Sequence, residues 1–237
     1  MSAADTPSEG LAETTAPAAS RRMLAEHRLA TVEHPRYNSY VAIGDSFSAG
    51  IDPGEKTWCD HLAASLGAAN PRLRYRNLAE ARAPAPRVFA RQLRAALDQK
   101  PDLLSVTCGV NDVLLSREFD ADRFEGHMRP AFERIVGELP GVRLLTLEPA
   151  RFSMFLPVDE RRRAAIDAGI DRLNARMRSL SAEFGAIVVD LAADKRSEDR
   201  ASRHDDGLHP SAKAHSEIAE YVLAVLAGSR PASGDSR

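Results

Sequence analysis

Between about Tyr37 and Ala227 the chain alternates short apolar runs with longer stretches of helical period. The runs are Tyr40–Ile43, Leu73–Asn77, Leu103–Thr107, Arg143–Leu147 and Ala186–Asp190, mostly rich in Val, Ile and Leu. Most lack the apolar/polar alternation of a half-exposed strand, so they predict strands covered on both faces. Between them, helices are predicted over Trp58–Leu66, Pro86–Gln99, Ala121–Glu138, Glu160–Glu183 and Ser211–Leu226. In the fourth of these, Ile166, Ile170, Leu173, Met177 and Leu180 form a stripe that packs on a sheet, with Arg172, Arg176 and Arg178 mostly facing away. Thr57 is placed to cap the first helix and Gly67 to stop it. Strand–helix repetition of this kind predicts an α/β fold: a parallel sheet with helices on both faces, joined by right-handed crossovers. The pattern predicts one domain over 36–228, flanked by weakly ordered tails at 1–35 and 229–237; the first 20 residues are rich in Ala, Ser, Thr, Pro and Glu, and both tails lack aromatic residues.

Composition narrows the function classes. The chain has 237 residues, 43% hydrophobic and 28% charged, with 32 basic against 34 acidic side chains and a net charge of −2. That balance gives no electrostatic case for nucleic acid or an anionic membrane surface. Basic residues are mostly Arg, but scattered. Two cysteines, Cys59 and Cys108, are too few for a disulfide framework or a cysteine-built zinc site. The N-terminal stretch lacks the basic start and apolar run of a secretory signal, and no window reaches the length of a membrane span. A cytoplasmic protein without membrane insertion is expected, and an enzyme is compatible with everything so far.

In parallel α/β sheets, reactive groups gather in loops at the carboxyl ends of strands. The first predicted strand runs into Gly44-Asp45-Ser46-Phe47-Ser48, where a helix-start serine would expose its hydroxyl at the sheet edge. The same residues also suit plain helix capping. The third strand ends in Cys108-Gly109-Val110-Asn111-Asp112; the Asn111 amide could face an oxyanion, or the pair could build a turn. Near the C-terminus, Asp206-Gly207-Leu208-His209 places an acid three residues before a histidine, a spacing that lets a carboxylate orient one ring nitrogen while the other faces a site. The competing reading there is a surface loop before a cap at Ser211. The remaining histidines, 27, 34, 61, 127, 204 and 215, have no such setting and read as structural or solvated.

Together, and in this order, YVAIGDSFSAG, TCGVNDVLL and DGLHPSAKAH resemble the first, third and fifth blocks of the SGNH (GDSL-type) hydrolases. The resemblance covers about residues 37–227 and implies a flavodoxin-like three-layer α/β/α sandwich with a five-stranded parallel sheet. It further implies that Ser46 is the nucleophile, His209 the general base and then acid, and Asp206, rather than its neighbour Asp205, the group orienting His209. The backbone N–H of Ser46 and the side chain of Asn111 would be oxyanion donors. The implied activity is hydrolysis of a small or medium acyl ester through an acyl-enzyme, without metal or organic cofactor, the partner being a small-molecule ester.

One position departs from the family. Asn77-Leu78-Ala79 matches the lead-in of its second block, which puts Arg82 where a glycine normally supplies a third oxyanion N–H. Arg82 could still present its N–H while its side chain caps the site and recognises an anionic acyl group. Alternatively the loop is rebuilt, leaving acyl transfer to a non-water acceptor or a binding role. Positive φ is unfavourable for arginine, so a shifted loop is expected if the family geometry requires that conformation. Phe152, Met154 and Phe155 are candidates to line an acyl pocket or to cover the core. Arg161, Arg162 and Arg163 read as a solvated helix face, and Cys108 as a packed strand-end residue.

Overall fold

The computed structural model describes residues 36–228, so the expected tails lie outside the described residues. Five strands form one parallel sheet: β1 (Ser39–Gly44), β2 (Arg74–Asn77), β3 (Leu103–Thr107), β4 (Arg143–Glu148) and β5 (Ile187–Asp190), in the order β2-β1-β3-β4-β5. All pairs are parallel, with Ala42 opposite Asn77 on one side and Ser105 on the other. Among the described residues, eight α-helices connect or follow them: α1 (Ser46–Ala49), α2 (Trp58–Ala69), α3 (Ala85–Arg91), α4 (Leu93–Asp98), α5 (Val110–Leu115), α6 (Ala121–Glu138), α7 (Glu160–Phe184) and α8 (Ala212–Leu226).

Successive side chains of a strand point to opposite faces, and the core divides accordingly. Val41, Ile43, Leu104, Val106 and Leu144 meet the apolar sides of α3, α4, α6 and α7, including the Ile166–Leu180 stripe. Tyr40, Ala42, Leu103, Leu145 and Val189 meet α2 and α8. This is the expected three-layer α/β/α sandwich.

The differences in the elements have local causes. β2 is an edge strand, with Arg74 and Arg76 exposed, charges of the kind that discourage edge-to-edge pairing. Gly67 does not stop α2, which runs on to Ala69 and ends at Asn70. Thr57 does begin it, its N–H and hydroxyl both donating to Asp60 at 2.8 Å. The single helix expected over Pro86–Gln99 breaks at Gln92, whose side chain is committed elsewhere. Arg178 is exposed but not free of the sheet: it pairs with Glu148, a wholly buried carboxylate. Nor is Arg162 merely solvated, since it donates to the Leu114 and Ser116 carbonyls at the end of α5. His215, the one buried histidine among the described residues, accepts the Trp58 N–H at 3.1 Å, a structural role.

Candidate active site

The sheet order reverses direction at β1, whose neighbours β2 and β3 lie on opposite sides, and a crevice opens beyond such a point. Gly44 ends β1 against the neighbouring strand: a Cβ there would lie 2.2 Å from the Thr107 hydroxyl and 2.3 Å from its carbonyl oxygen. Only a residue without a side chain allows the chain to turn at this point. Gln92, buried at the α3/α4 break, accepts the Gly44 N–H at 2.7 Å and donates to the Gly44 carbonyl at 2.9 Å. The turn leading to Ser46 is therefore clamped from the next crossover. No periodicity or local motif marks Gln92; an amide inside an otherwise apolar helical face was the available signal.

Ser46 opens α1, and Asp45 caps it by accepting the Phe47 N–H at 3.0 Å. The expected capping reading thus belongs to Asp45, leaving the Ser46 hydroxyl free to meet His209 Nε2 at 2.7 Å. His209 Nδ1 lies 2.5 Å from Asp206 Oδ2, while Asp206 Oδ1 accepts the N–H groups of Leu208 and His209 at 2.9 and 3.0 Å. With the Nδ1 proton on the carboxylate side, Nε2 is the acceptor for the serine hydroxyl, the tautomer this network selects. Burial pulls the Asp206 carboxyl up, but the hydrogen bonds from the His209 ring, the His209 N–H and the Leu208 N–H outweigh it and hold the acid below its ordinary value. Gly207 makes the turn possible: its φ is 75°, and a Cβ would lie 2.3 Å from the Phe155 carbonyl oxygen. Asp205 is exposed, and its backbone carbonyl accepts from Arg200.

The third strand end contributes differently from a turn. Gly109, with φ 112°, precedes α5, so Asn111 and Asp112 are helical. Asp112 accepts the Ala85 N–H at 2.9 Å and so caps α3. The Asn111 amide donates to Asp45 Oδ2 at 3.1 Å and, more weakly, to the Ala83 carbonyl at 3.4 Å. Burial pushes the Asp45 carboxyl up to about 7, against the opposing hydrogen bonds from Phe47 and Asn111.

Arg82 lies in the β2–α3 loop. It adopts φ 61°, the left-handed conformation usually given to glycine. The loop is pinned on both sides: Asn77 donates to the Ser48 carbonyl at 2.6 Å, Glu80 N–H to the Gly44 carbonyl at 3.1 Å, and the Ala83 carbonyl accepts from Asn111. The Arg82 side chain is exposed and does not line the cleft, so it does not cap the site. Among the described residues, neither the Ser46 nor the Arg82 N–H has a protein acceptor.

The cleft holding Ser46 and His209 has about 770 Å³ of empty space, part of it open to solvent. Val110, Phe152, Leu191, Leu208 and Ile218 give it apolar walls, and Asp194, Arg196, Arg203 and Glu217 add charge. Of the three residues expected as a lining, Phe152 is there, Met154 is exposed, and Phe155 packs under the Arg203 guanidinium. Cys108 is buried beside Met128, its thiol pushed up by burial, which suits packing and not nucleophilic chemistry.

A doubly covered parallel sheet with a serine, a histidine and a carboxylate linked in sequence at its carboxyl edge has the architecture of the α/β/α serine hydrolases. The sequence profile of the GDSL-like Lipase/Acylhydrolase family, whose members are ester-bond hydrolases, matches residues 42–216, and the chain belongs to that family. Solved structures agree on the fold. The lipase/acylhydrolase from Enterococcus faecalis is 19% identical, with a TM-score of 0.64 and coverage of 84% of this chain and 100% of that one. The extracellular lipase from Streptomyces rimosus is 21% identical, at a TM-score of 0.63, covering 80% and 99%. A catalytic mutant of an acetylxylan esterase from Geobacillus stearothermophilus is 20% identical, at a TM-score of 0.64, covering 84% and 97%. No curated protein matches the sequence significantly. Among the described residues, no helix is long and apolar enough to cross a membrane.

Proposed function

We propose that the protein is a serine-dependent esterase that cleaves a small or medium acyl ester through an acyl-enzyme. The observation that carries this reading is the continuous hydrogen-bond chain from Asp206 through His209 to Ser46, at 2.5 and 2.7 Å. A serine hydroxyl is a weak nucleophile and needs a base in contact with it. In the proposed reaction Ser46 Oγ attacks the ester carbonyl as its proton passes to His209 Nε2. Asp206 stabilises the imidazolium that results. The tetrahedral oxyanion is met by the Ser46 and Arg82 N–H groups and by the Asn111 amide, which turns from Asp45 or Ala83 to reach it. His209 returns the proton to the departing alcohol, and water then attacks the acyl-enzyme by the same route in reverse.

The test is turnover of p-nitrophenyl acetate by wild type and Ser46→Ala, together with labelling by a fluorophosphonate probe. The wild type should hydrolyse the ester and be labelled at Ser46, and the variant should do neither. Turnover that survives Ser46→Ala would overturn the assignment.

A further inference from the structure

We propose that Arg203, with the Ser197 hydroxyl beside it, is a receptor for a carboxylate carried by the substrate. The inference deepens the esterase reading and rests on it: it names the class of ester that the cleft accepts. Arg203 lies between the short 3₁₀ turn Arg200–Ser202 and the loop of Asp206 and His209, bridged to Pro210. Both Arg203 and Ser197 line the same cleft as Ser46 and His209.

The protein uses only part of the guanidinium. One Nη2 N–H donates to the Ser197 carbonyl at 3.1 Å and one Nη1 N–H to the Leu208 carbonyl at 3.4 Å. The Phe155 ring lies 5.8 Å from the guanidinium carbon. An arginine has five donors, which leaves three without a protein acceptor, the buried Nε among them. The Ser197 hydroxyl is likewise buried and unpartnered. Two orphaned polar groups in one wall of a cleft are costly while they stay unpaired.

Charge points the same way. The other arginine of this wall is already matched: Arg196 pairs with Asp194 at 2.6 Å and approaches Glu217 at 4.0 Å, while Glu217 also pairs with Lys213, outside the cleft, at 3.3 Å. Among the described residues, no carboxylate lies within ion-pair distance of Arg203. Burial alone accounts for the lowering of its proton affinity, with no partner charge opposing it. A half-buried guanidinium with a planar donor fork and no counter-ion is suited to a carboxylate. Val110, Phe152 and Leu191 offer such a group no competing polar contact. The anion recognition that the sequence suggested for Arg82 is thereby placed on a different arginine, one that faces the cleft.

The carboxylate could belong to the acyl or to the alcohol half of the ester, and paired substrates separate the two. The acyl arm compares p-nitrophenyl hemiglutarate with p-nitrophenyl pentanoate; the alcohol arm compares 4-acetoxybenzoate with phenyl acetate. In one arm the wild type should prefer the charged ester, and Arg203→Gln, which keeps amide donors but no charge, should lower the charged-to-neutral kcat/KM ratio by about 10- to 100-fold. Arg203→Lys should restore part of it, and added salt should erode the wild-type preference. A ratio unchanged in both arms would overturn the proposal, as would equal losses on charged and neutral esters, which would mark Arg203 as only a support for the His209 loop. Binding of glutarate to Ser46→Ala by calorimetry supplies an arm independent of turnover. It should be detectable and lost in Ser46→Ala/Arg203→Gln. If esters are turned over but neither arm shows a charge preference and no glutarate binds, the subsite fails alone; if glutarate binds but no ester is cleaved, the esterase reading fails alone.

Discussion

Asp206 holds His209 at two points: one carboxylate oxygen faces ring Nδ1 at 2.5 Å while the other accepts the backbone N–H of the same residue at 3.0 Å. Ring and backbone are fixed by one side chain, so the imidazole has one orientation and one tautomer. Asp206→Asn keeps the shape but offers an amide to Nδ1, and kcat should fall by about 10⁴. Asp205→Asn, one residue away and exposed, should lie within about threefold of wild type. Steady-state kinetics on one ester for the two variants decides the register, and a reversed order would reassign the acid.

The pH dependence of the site follows from the same pair. The Asp206 carboxyl is held below its ordinary value, so its contribution is present above the unfolded carboxylate range and lost as pH falls through the lowered folded value. Activity should therefore persist into acid further than an ordinary carboxylate would allow on this account. An acid limb of kcat that does not move in Asp206→Asn would separate it from Asp206.

Gln92 gives a prediction from stability. It satisfies both the N–H and the carbonyl of Gly44, and both groups are buried. Gln92→Leu fills nearly the same volume but leaves the Gly44 N–H unpaired, the carbonyl keeping the Glu80 N–H, at a cost of about 1–3 kcal/mol. Chemical denaturation should show that loss, and kcat should fall as well because the turn carrying Ser46 loses its clamp. A variant as stable as wild type would show that water or a rearrangement replaces the clamp.

At Arg82 the backbone and the side chain can be tested apart. The left-handed conformation costs an ordinary residue about 1–2 kcal/mol, while glycine accepts it at a smaller entropic cost. Arg82→Gly should therefore stabilise the protein by about 0.5–1 kcal/mol and raise Tm. Arg82→Ala keeps the strain and should be close to neutral, because the side chain is exposed. If Arg82→Gly instead lowers Tm, a side-chain contact outweighs the backbone strain.

Glu148 is pushed up to about 7 by burial, more than the attraction of Arg178 lowers it. An acid raised in the folded state contributes stability below its unfolded value that is lost as pH rises through about 4 to 7. Glu148→Gln removes that titration, so its stability relative to wild type should improve between pH 4 and pH 7.5. Parallel Tm-versus-pH curves for the two proteins would rule this out.

The sequence by itself determined the strands, the apolar stripes and the three polar strand ends, because each is written in neighbouring residues. Leu103–Thr107 matches its expected bounds, and the Asp206–His209 spacing already limits how a carboxylate and an imidazole can meet. The tertiary structure decided what depends on residues far apart in the chain. It brought His209 to Ser46 across 163 positions and Gln92 to Gly44 across 48, and it put β2 on the edge. It also settled which arginines face the cleft. Arg82 was singled out by a motif, but its loop turns the side chain to solvent; Arg203, which no motif marks, lines the cleft beside His209 because the Arg203–Pro210 bridge folds that segment back on itself. Local chemistry specifies which groups are present. Chain folding over long separations decides which of them lose water together, and the reactivity of the site depends on that.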